Sequence, residues 1–170
     1  MKNKNYLYGL LLYGFIAGFT SPVSAEIRQC DKEFISSDDS HIVYMGRISR
    51  SIPHIVRFTY PGVSILANFE GTSLQMKAKP GSGAFMVEVD DELPYRINFA
   101  ENDSIQTLAE GLPEGTHRVR IMYAIEGYEL KPAFKGFYLD KGCRLAEAPV
   151  LSERRIEFIG NSITCGYGVE

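Results

Sequence analysis

His117-Arg118-Val119-Arg120-Ile121-Met122-Tyr123 is the longest stretch of this chain in which apolar side chains recur at every second position. A period of two is typical of a β-strand with one buried face. We therefore predict that Val119, Ile121 and Tyr123 face a core, while the side chains between them face away from it.

Shorter segments with the same period extend on both sides, from Phe34 to Ala148, and turns rich in Gly and Pro separate them. Leu74 to Lys79, Phe85 to Val89 and Tyr95 to Phe99 are examples. No stretch in this range sustains the spacing of an amphipathic helix. About nine or ten short strands with regular turns predict an all-β fold, an antiparallel β-sandwich that is most simply a jelly roll.

The amino terminus has the organisation of an export signal. Lys2 and Lys4 precede an apolar run from Tyr6 to Phe19, and Val23-Ser24-Ala25 follows. This pattern predicts a signal peptide over residues 1–25, with cleavage after Ala25. A transmembrane anchor is the alternative, but the run is shorter than the ~20 apolar residues of a span. We expect a secreted or periplasmic protein that has no membrane attachment after cleavage.

The charge balance argues against a nucleic-acid partner. The chain has 18 basic and 21 acidic residues, a net charge of −3. Residues 1–25 contain two of the lysines and no acid, so the remainder carries 16 basic and 21 acidic residues, or −5. A mildly acidic chain without a cluster of Lys and Arg along the sequence lacks the usual electrostatic footprint of nucleic-acid binding.

The three cysteines are Cys30, Cys143 and Cys165. In an exported chain an even number of them should pair, and Cys30 and Cys143 bracket the predicted sandwich. A Cys30–Cys143 disulfide and two unpaired thiols both remain open, because spacing alone does not fix connectivity. Cys165 is interpreted as a small buried residue. No Cys-x-x-Cys motif or histidine pair at ligand spacing is present, so we expect neither a metal site nor a cofactor.

A second decisive segment is Arg155 to Gly168. Ile156, Phe158 and Ile159 predict a short buried strand, and Gly160-Asn161-Ser162 follows it. A serine at such a corner has an exposed hydroxyl, and backbone N–H groups of the next turn can stabilise an oxyanion there. From the tripeptide alone, a polar loop after a strand is the alternative interpretation.

The longer string Phe158 to Gly168 resembles the first sequence block of the SGNH (GDSL-type) hydrolases, and in detail that of family 2 carbohydrate esterases. These acetyl xylan esterase-like enzymes remove acetyl groups from plant cell-wall polysaccharides. The resemblance implies that Ser162 is the nucleophile and that its own N–H serves the oxyanion hole. Residues 151–170 would then hold the truncated first strand of an α/β SGNH hydrolase domain. Asn161 stands where the usual motif has Asp.

The resemblance also covers the predicted sandwich. Tyr44 to Arg47, Tyr60 to Ile65, Phe69 to Ser73 and Leu112 to His117 are similar to turn motifs of the N-terminal jelly roll of family 2 carbohydrate esterases. It implies a jelly-roll domain over residues 26–150. It also implies that the substrate of the intact enzyme is an acetylated polysaccharide or oligosaccharide.

The resemblance places the catalytic base, a histidine, near the end of the hydrolase domain. His41, His54 and His117 all precede Ser162 and match no part of that pattern. The sequence given runs to Glu170, so we expect it to be an N-terminal fragment of a secreted carbohydrate O-acetyl esterase and close to inactive by itself. The alternative is a non-catalytic module, a β-sandwich that binds carbohydrate or supports the hydrolase.

We expect neither His117 nor Arg47 to be a catalytic group. His117 opens a strand next to a Gly turn, which favours a structural hydrogen-bonding role. Arg47, at the edge of the predicted sandwich, is expected to pair with a nearby acid.

Overall fold

The computed structural model describes residues 32–154 and 159–161, and within these ranges all regular structure is β-strand. The absence of a helix there agrees with the period of two in the sequence. The strands are β1 (Lys32–Ser36), β2 (Val43–Met45), β3 (Ser49–Ile52), β4 (Ile55–Arg57), β5 (Ser64–Glu70), β6 (Leu74–Ala78), β7 (Gly83–Val89), β8 (Tyr95–Phe99), β9 (Ile105–Ala109), β10 (Thr116–Tyr123) and β11 (Ala133–Asp140).

Five of the strands form one antiparallel sheet in the order β2-β5-β10-β7-β8. The central strand is β10, the stretch with the longest alternation. Val119, Ile121 and Tyr123 are at most 1% exposed, whereas Arg118 and Arg120 face solvent. The predicted orientation of this strand is therefore confirmed.

The other six strands form a second antiparallel sheet, with β11 at its centre. Its order is β3-β4-β11-β6-β9, and β1 also pairs with β11. β1 pairs with Gly136 to Asp140, and β4 pairs with Ala133 and Phe134, so the two strands share one edge of β11. β6 occupies the opposite edge. One strand thus positions three others.

The core lies between the two sheets and is rich in aromatic rings. The Phe85 ring contacts Phe58, Phe99 and Tyr123, with centroid separations of 6.1, 5.7 and 5.1 Å. Phe134 of the six-stranded sheet meets Tyr44 of the five-stranded sheet at 6.2 Å. Burial of each such ring contributes about 1.5–3 kcal/mol relative to exposure, so these contacts hold the sandwich together. The antiparallel β-sandwich is the predicted fold class.

The differences from the sequence-based expectation lie at sheet edges. The structure has eleven strands in its described part, and β1 and β3 were not predicted. β3 reads Ser-Arg-Ser-Ile and is exposed throughout, so it has no buried face to impose alternation. β4 ends at Arg57, although the alternation of side chains in the sequence continues from Ile55 to Tyr60. Tyr60 lies outside the sheet, next to the Pro61-Gly62 turn, and is 53% exposed.

Gly136 allows β1 to lie against β11, and its substitution tests that arrangement. Its φ is +143°, and a Cβ there would overlap the Ile35 carbonyl oxygen and lie 2.9 Å from the Phe34 ring. Gly136→Ala should therefore lower the free energy of unfolding by at least about 2–3 kcal/mol, measured by urea denaturation.

Gly142→Ala is the matched control. Gly142 also has a positive φ, +82°, but a Cβ there meets nothing within 4 Å. Its cost should be only the backbone strain of about 1–2 kcal/mol. Equal losses for the two variants would contradict the proposed close approach of β1 to Gly136.

Candidate functional site

The chain leaves the sandwich along the edge of β5. The Glu70 N–H donates to Arg144 O at 3.0 Å, and the Ala146 N–H donates to Asn68 O at 2.9 Å. The side chain of Asn68 also donates to Glu147 O at 2.8 Å. Residues 144–147 are therefore fixed to the five-stranded sheet, whereas Val150, three residues further on, is 94% exposed.

Ser162, the predicted nucleophile, lies outside the described residues, as do Ile156 and Phe158 of the predicted hydrolase strand. Gly160 and Asn161 are described and exposed. The Ile159 side chain is 89% exposed, so the prediction that it is buried is wrong for this structure. The role of Ser162 and the start of an SGNH domain over residues 151–170 remain predictions.

His117 is held in a structural position, as interpreted from the sequence. The residue is 8% exposed, its Nδ1 lies 2.5 Å from Asp90 Oδ2, and its Nε2 lies 2.8 Å from Pro113 O. Both partners are acceptors, so both ring nitrogens donate only when the imidazole is protonated. Because both nitrogens are occupied, His117 is not poised to take a proton from a nucleophile.

The same contacts change the pKa values of the pair. Burial acts to lower the pKa of His117, but the bonds to Asp90 and Pro113 outweigh it and raise that pKa above 6.5. Burial acts to raise the pKa of Asp90, but hydrogen bonds from the Arg118 N–H and from His117 lower it below 3.8. At mildly acidic pH, His117 and Asp90 therefore form an ion pair near the start of β10.

A second polar network ties β1 to the end of β11. Asp140 Oδ1 accepts from Lys32 Nζ at 2.6 Å and from Ser73 Oγ at 2.7 Å, and Oδ2 accepts from the Thr72 N–H and hydroxyl at 3.2 and 3.1 Å. Burial acts to raise the pKa of Asp140, but these donors overcome it and lower the pKa to about 2. All four donors belong to the sandwich, so the carboxylate has a structural role.

Cys143 lies beside this network and packs against Gly71. A Cβ added to Gly71 would lie 2.8 Å from the Sγ of Cys143. Burial raises the pKa of its thiol, and nearby carboxylates act in the same direction. Cys30 and Cys165 lie outside the described residues, so the Cys30–Cys143 disulfide stays a prediction.

Arg47 does not pair with an acid, and the expectation that it would is wrong for the part of the chain that the structure describes. Its guanidinium lies over the Tyr60 ring, 5.4 Å from the centroid. This is possible because no carboxylate is near enough to compete for the guanidinium. Arg47 and Tyr60 are part of the lining of a cleft of about 390 Å³, which also includes Arg57 and Lys131.

Sequence reasoning missed this cleft, because its lining comes from separate segments of the chain. One signal was available: residues 40–69 contain no Asp or Glu, although the whole chain has 21. Cations in such a segment have no acidic neighbour in sequence, which favours a role other than local ion pairing.

The described part of the chain shows neither a cluster of metal ligands nor a helix that could span a membrane. Within residues 32–154 and 159–161, no three His, Cys, Asp or Glu side chains come together as a set of metal ligands. No described helix has the length and apolarity that a membrane span requires.

The His117–Asp90 pair predicts a pH-dependent contribution to stability. Folding raises the His117 pKa, so the contribution is present below pH 6.5 and is lost as pH rises through the folded-state pKa. Folding lowers the Asp90 pKa, so the contribution is also lost as pH falls below 3.8 through the folded-state pKa. Asp90→Asn should therefore cost most, about 1–2 kcal/mol, between about pH 4 and pH 6.5 in urea denaturation.

Asp39→Asn is the control for that experiment. Asp39 lies 2.8 Å from His41 Nδ1, but the two side chains are 32% and 47% exposed. Solvent screens such a pair, so its removal should change stability by less than about 1 kcal/mol at any pH. A loss for Asp90→Asn that is the same from pH 4 to pH 9 would contradict the assignment.

The path of the chain after β11 predicts its sensitivity to trypsin. Arg154 is exposed and follows an exposed segment, so cleavage after it should be rapid and should leave a stable sandwich. Arg144 is an internal control, because its side chain is 79% exposed but its carbonyl accepts the Glu70 N–H. Cleavage after Arg144 as fast as after Arg154 would show that residues 144–147 are not fixed to β5.

Comparisons with known proteins identify relatives of this chain. The family model for the carbohydrate esterase 2 N-terminal domain matches residues 44–149, more than half of the chain. The cellulase/esterase CelE of Acetivibrio thermocellus is 34% identical over 142 residues, 82% of this chain and 17% of the relative. An acetylxylan esterase / glucomannan deacetylase of Cellvibrio japonicus is 30% identical over 138 residues, 80% of this chain and 38% of the relative.

A solved structure of a family two carbohydrate esterase is also similar to this chain. The structure of a family two carbohydrate esterase from Cellvibrio japonicus superposes with a TM-score of 0.70 at 29% identity, covering 79% of this chain and 41% of that one. The chain thus spans between about a sixth and two fifths of the length of these relatives. The family model covers β3 to β11 and most of β2, and the chain belongs to the carbohydrate esterase 2 N-terminal family.

Proposed function

We propose that this chain supplies the N-terminal β-sandwich, a jelly roll, and the opening motif of a secreted or periplasmic O-acetyl esterase. The intact enzyme would deacetylate plant cell-wall polysaccharides such as xylan. One observation carries the proposal: the family match over residues 44–149 is followed, after ten further residues, by the sequence Gly160-Asn161-Ser162. The relative from Cellvibrio japonicus is an acetylxylan esterase / glucomannan deacetylase, which supports this choice of substrate.

The chemistry assigned to Ser162 is acyl transfer. The hydroxyl attacks the acetyl carbonyl carbon while a base takes its proton, and the resulting oxyanion is stabilised by backbone N–H groups, including that of Ser162. Collapse of the tetrahedral intermediate breaks the bond to the sugar oxygen, which leaves as a hydroxyl with the proton returned by the base. Water then hydrolyses the acetyl-serine in the same way and releases acetate.

The base is proposed to come from the hydrolase domain and not from the sandwich. His117 is committed at both nitrogens, to Asp90 and Pro113. His41 and His54 are paired through Nδ1 with Asp39 and Asp38 at 2.8 Å. The His41–Asp39 pair is exposed and lies within the β1–β2 connection, and the His54–Asp38 pair is exposed and joins the β3–β4 connection to the β1–β2 connection.

A non-catalytic role for the sandwich itself, in support or in carbohydrate binding, is the second candidate. It is favoured by the composition of the core, which is a single cluster drawn from Ile42 to Leu145. Among the residues that the structure describes, this core includes none after Leu145, which supports a role for the sandwich that is separate from the hydrolase chemistry. A supporting sandwich and an esterase are compatible in one protein, whereas a purely binding protein would lack serine-dependent hydrolysis.

Acetate release tests the proposal. A protein that continues from this chain into a complete hydrolase domain should release acetate from acetylated xylan, and Ser162→Ala should reduce kcat by at least about 10³-fold. Ser152→Ala, at an exposed serine of the linking segment, is the matched control and should retain the full rate.

The 170-residue chain by itself allows a second test of the proposed role of Ser162. It should hydrolyse 4-nitrophenyl acetate no faster than its Ser162→Ala variant, because no base is expected within reach of the serine. Acetate release by the longer protein that is unaffected by Ser162→Ala would overturn the assignment of the nucleophile.

A further inference from the structure

The cleft beside β4 brings together three cations that are distant in sequence. Arg57 of β4 is in register with Ser49 of β3 on one side and with Ala133 of β11 on the other. Arg47 comes two residues before Ser49, and Lys131 comes two residues before Ala133. Sheet pairing therefore places Arg47, Arg57 and Lys131 around a single cleft of about 390 Å³.

These three cations have no acidic partner in the described part of the chain, unlike several others. Lys32, Arg118, Arg120 and Arg144 each pair with a carboxylate of a neighbouring strand or turn. For Arg47 and Arg57 the difference follows from the sequence, because residues 40–69 contain no Asp or Glu. Among the described residues Lys131 forms no ion pair, although Glu129 is two residues away in the sequence. In a chain whose net charge is −3, a concave surface with three unpaired cations is a local site for an anion.

The walls of the cleft are suited to a ring. Tyr60 is 53% exposed, and the Arg47 guanidinium 5.4 Å from its centroid fixes a flat aromatic surface next to a positive charge. Ile48, Ser49, Thr59 and Pro132 are also part of the lining of the cleft. The volume lies within the range of small-molecule sites and exceeds what an inorganic anion needs.

Lys131 is held at this cleft by an unfavourable backbone conformation. Its φ is +48°, in the left-handed region that is uncommon for a residue with a Cβ. The Lys131 N–H donates to Gly127 O at 2.8 Å, which closes the turn before β11. A strained non-glycine residue beside a concave basic surface supports a functional reason for its position.

We infer that this cleft binds a carboxylate-bearing sugar, such as a uronic acid side group of a plant polysaccharide. The guanidinium groups of Arg47 and Arg57 match the carboxylate in shape and charge, and Tyr60 stacks on the sugar ring. The inference relies on the proposed function only for the choice of polysaccharide. A binding subsite for acidic branches would direct the protein to decorated regions of its substrate.

Isothermal titration calorimetry tests the inference on the 170-residue chain. The probe is a xylo-oligosaccharide that carries one glucuronic acid, and the comparison ligands are the same oligosaccharide without the acid and with its methyl ester. Binding should require the free carboxylate and weaken as salt is raised. Ser162→Ala should bind as the wild type does, so the result is independent of whether the esterase proposal holds.

Arg57→Gln should weaken binding about tenfold, the effect of losing one charge-assisted contact. Lys131→Asn should have a similar effect, and it keeps a residue that tolerates the left-handed conformation. Arg96→Gln is the matched control: Arg96 is an exposed cation on β8 of the other sheet, and binding should not change.

Several outcomes would overturn the inference. These are no binding of the acidic probe, equal binding of the neutral oligosaccharide, equal loss in Arg96→Gln, or complete competition by millimolar sulfate, which indicates a general anion site. Thermal unfolding of each variant, monitored by circular dichroism, shows whether it is folded. If Arg57→Gln does not fold, Arg47→Gln and Lys131→Asn give the same test.

Discussion

The pairing of β11 with three other strands is the constraint on which the rest of this structure depends. β1 and β4 divide one edge of β11 between them, and β6 takes the other edge. Gly136 permits the close approach of β1, and the Asp140 carboxylate then joins β1 to the turn before β6. The cleft depends on the same strand, because Arg57 and Lys131 meet only where β4 pairs with the start of β11.

The fold was largely predictable from the sequence, because its central strands have one buried face. In β10 the buried side chains mostly alternate with exposed ones, and in β6 and from Phe85 to Val89 of β7 they alternate with half-buried ones. Hydrophobic burial of one face enforces that period. β3 carries no such signal, since its Ser-Arg-Ser-Ile sequence is exposed and its pairing with β4 is made by the backbone alone. Edge strands of this kind are selected by tertiary context, which local sequence does not encode.

The candidate site was predictable from the sequence only in part. The nucleophile was assigned from the resemblance around Ser162, and the structural role of His117 followed from its position at a strand opening. Arg47 was misjudged because its environment is decided by sheet pairing: no acid lies nearby, and Tyr60 takes the place of the expected partner. Arg47, Arg57 and Lys131 line one cleft only after the strands have paired. A pattern along the sequence therefore could not reveal the cleft.

The attachment of residues 144–147 to β5 has a consequence for self-association. β2 covers the outer edge of β5 only from Ser64 to Leu66, and the segment from Arg144 to Ala146 covers it from Asn68 to Glu70. Together they occupy an edge whose free N–H and C=O groups would otherwise be a template for a strand of another molecule. The exit segment of this domain therefore also acts as a guard against edge-to-edge aggregation.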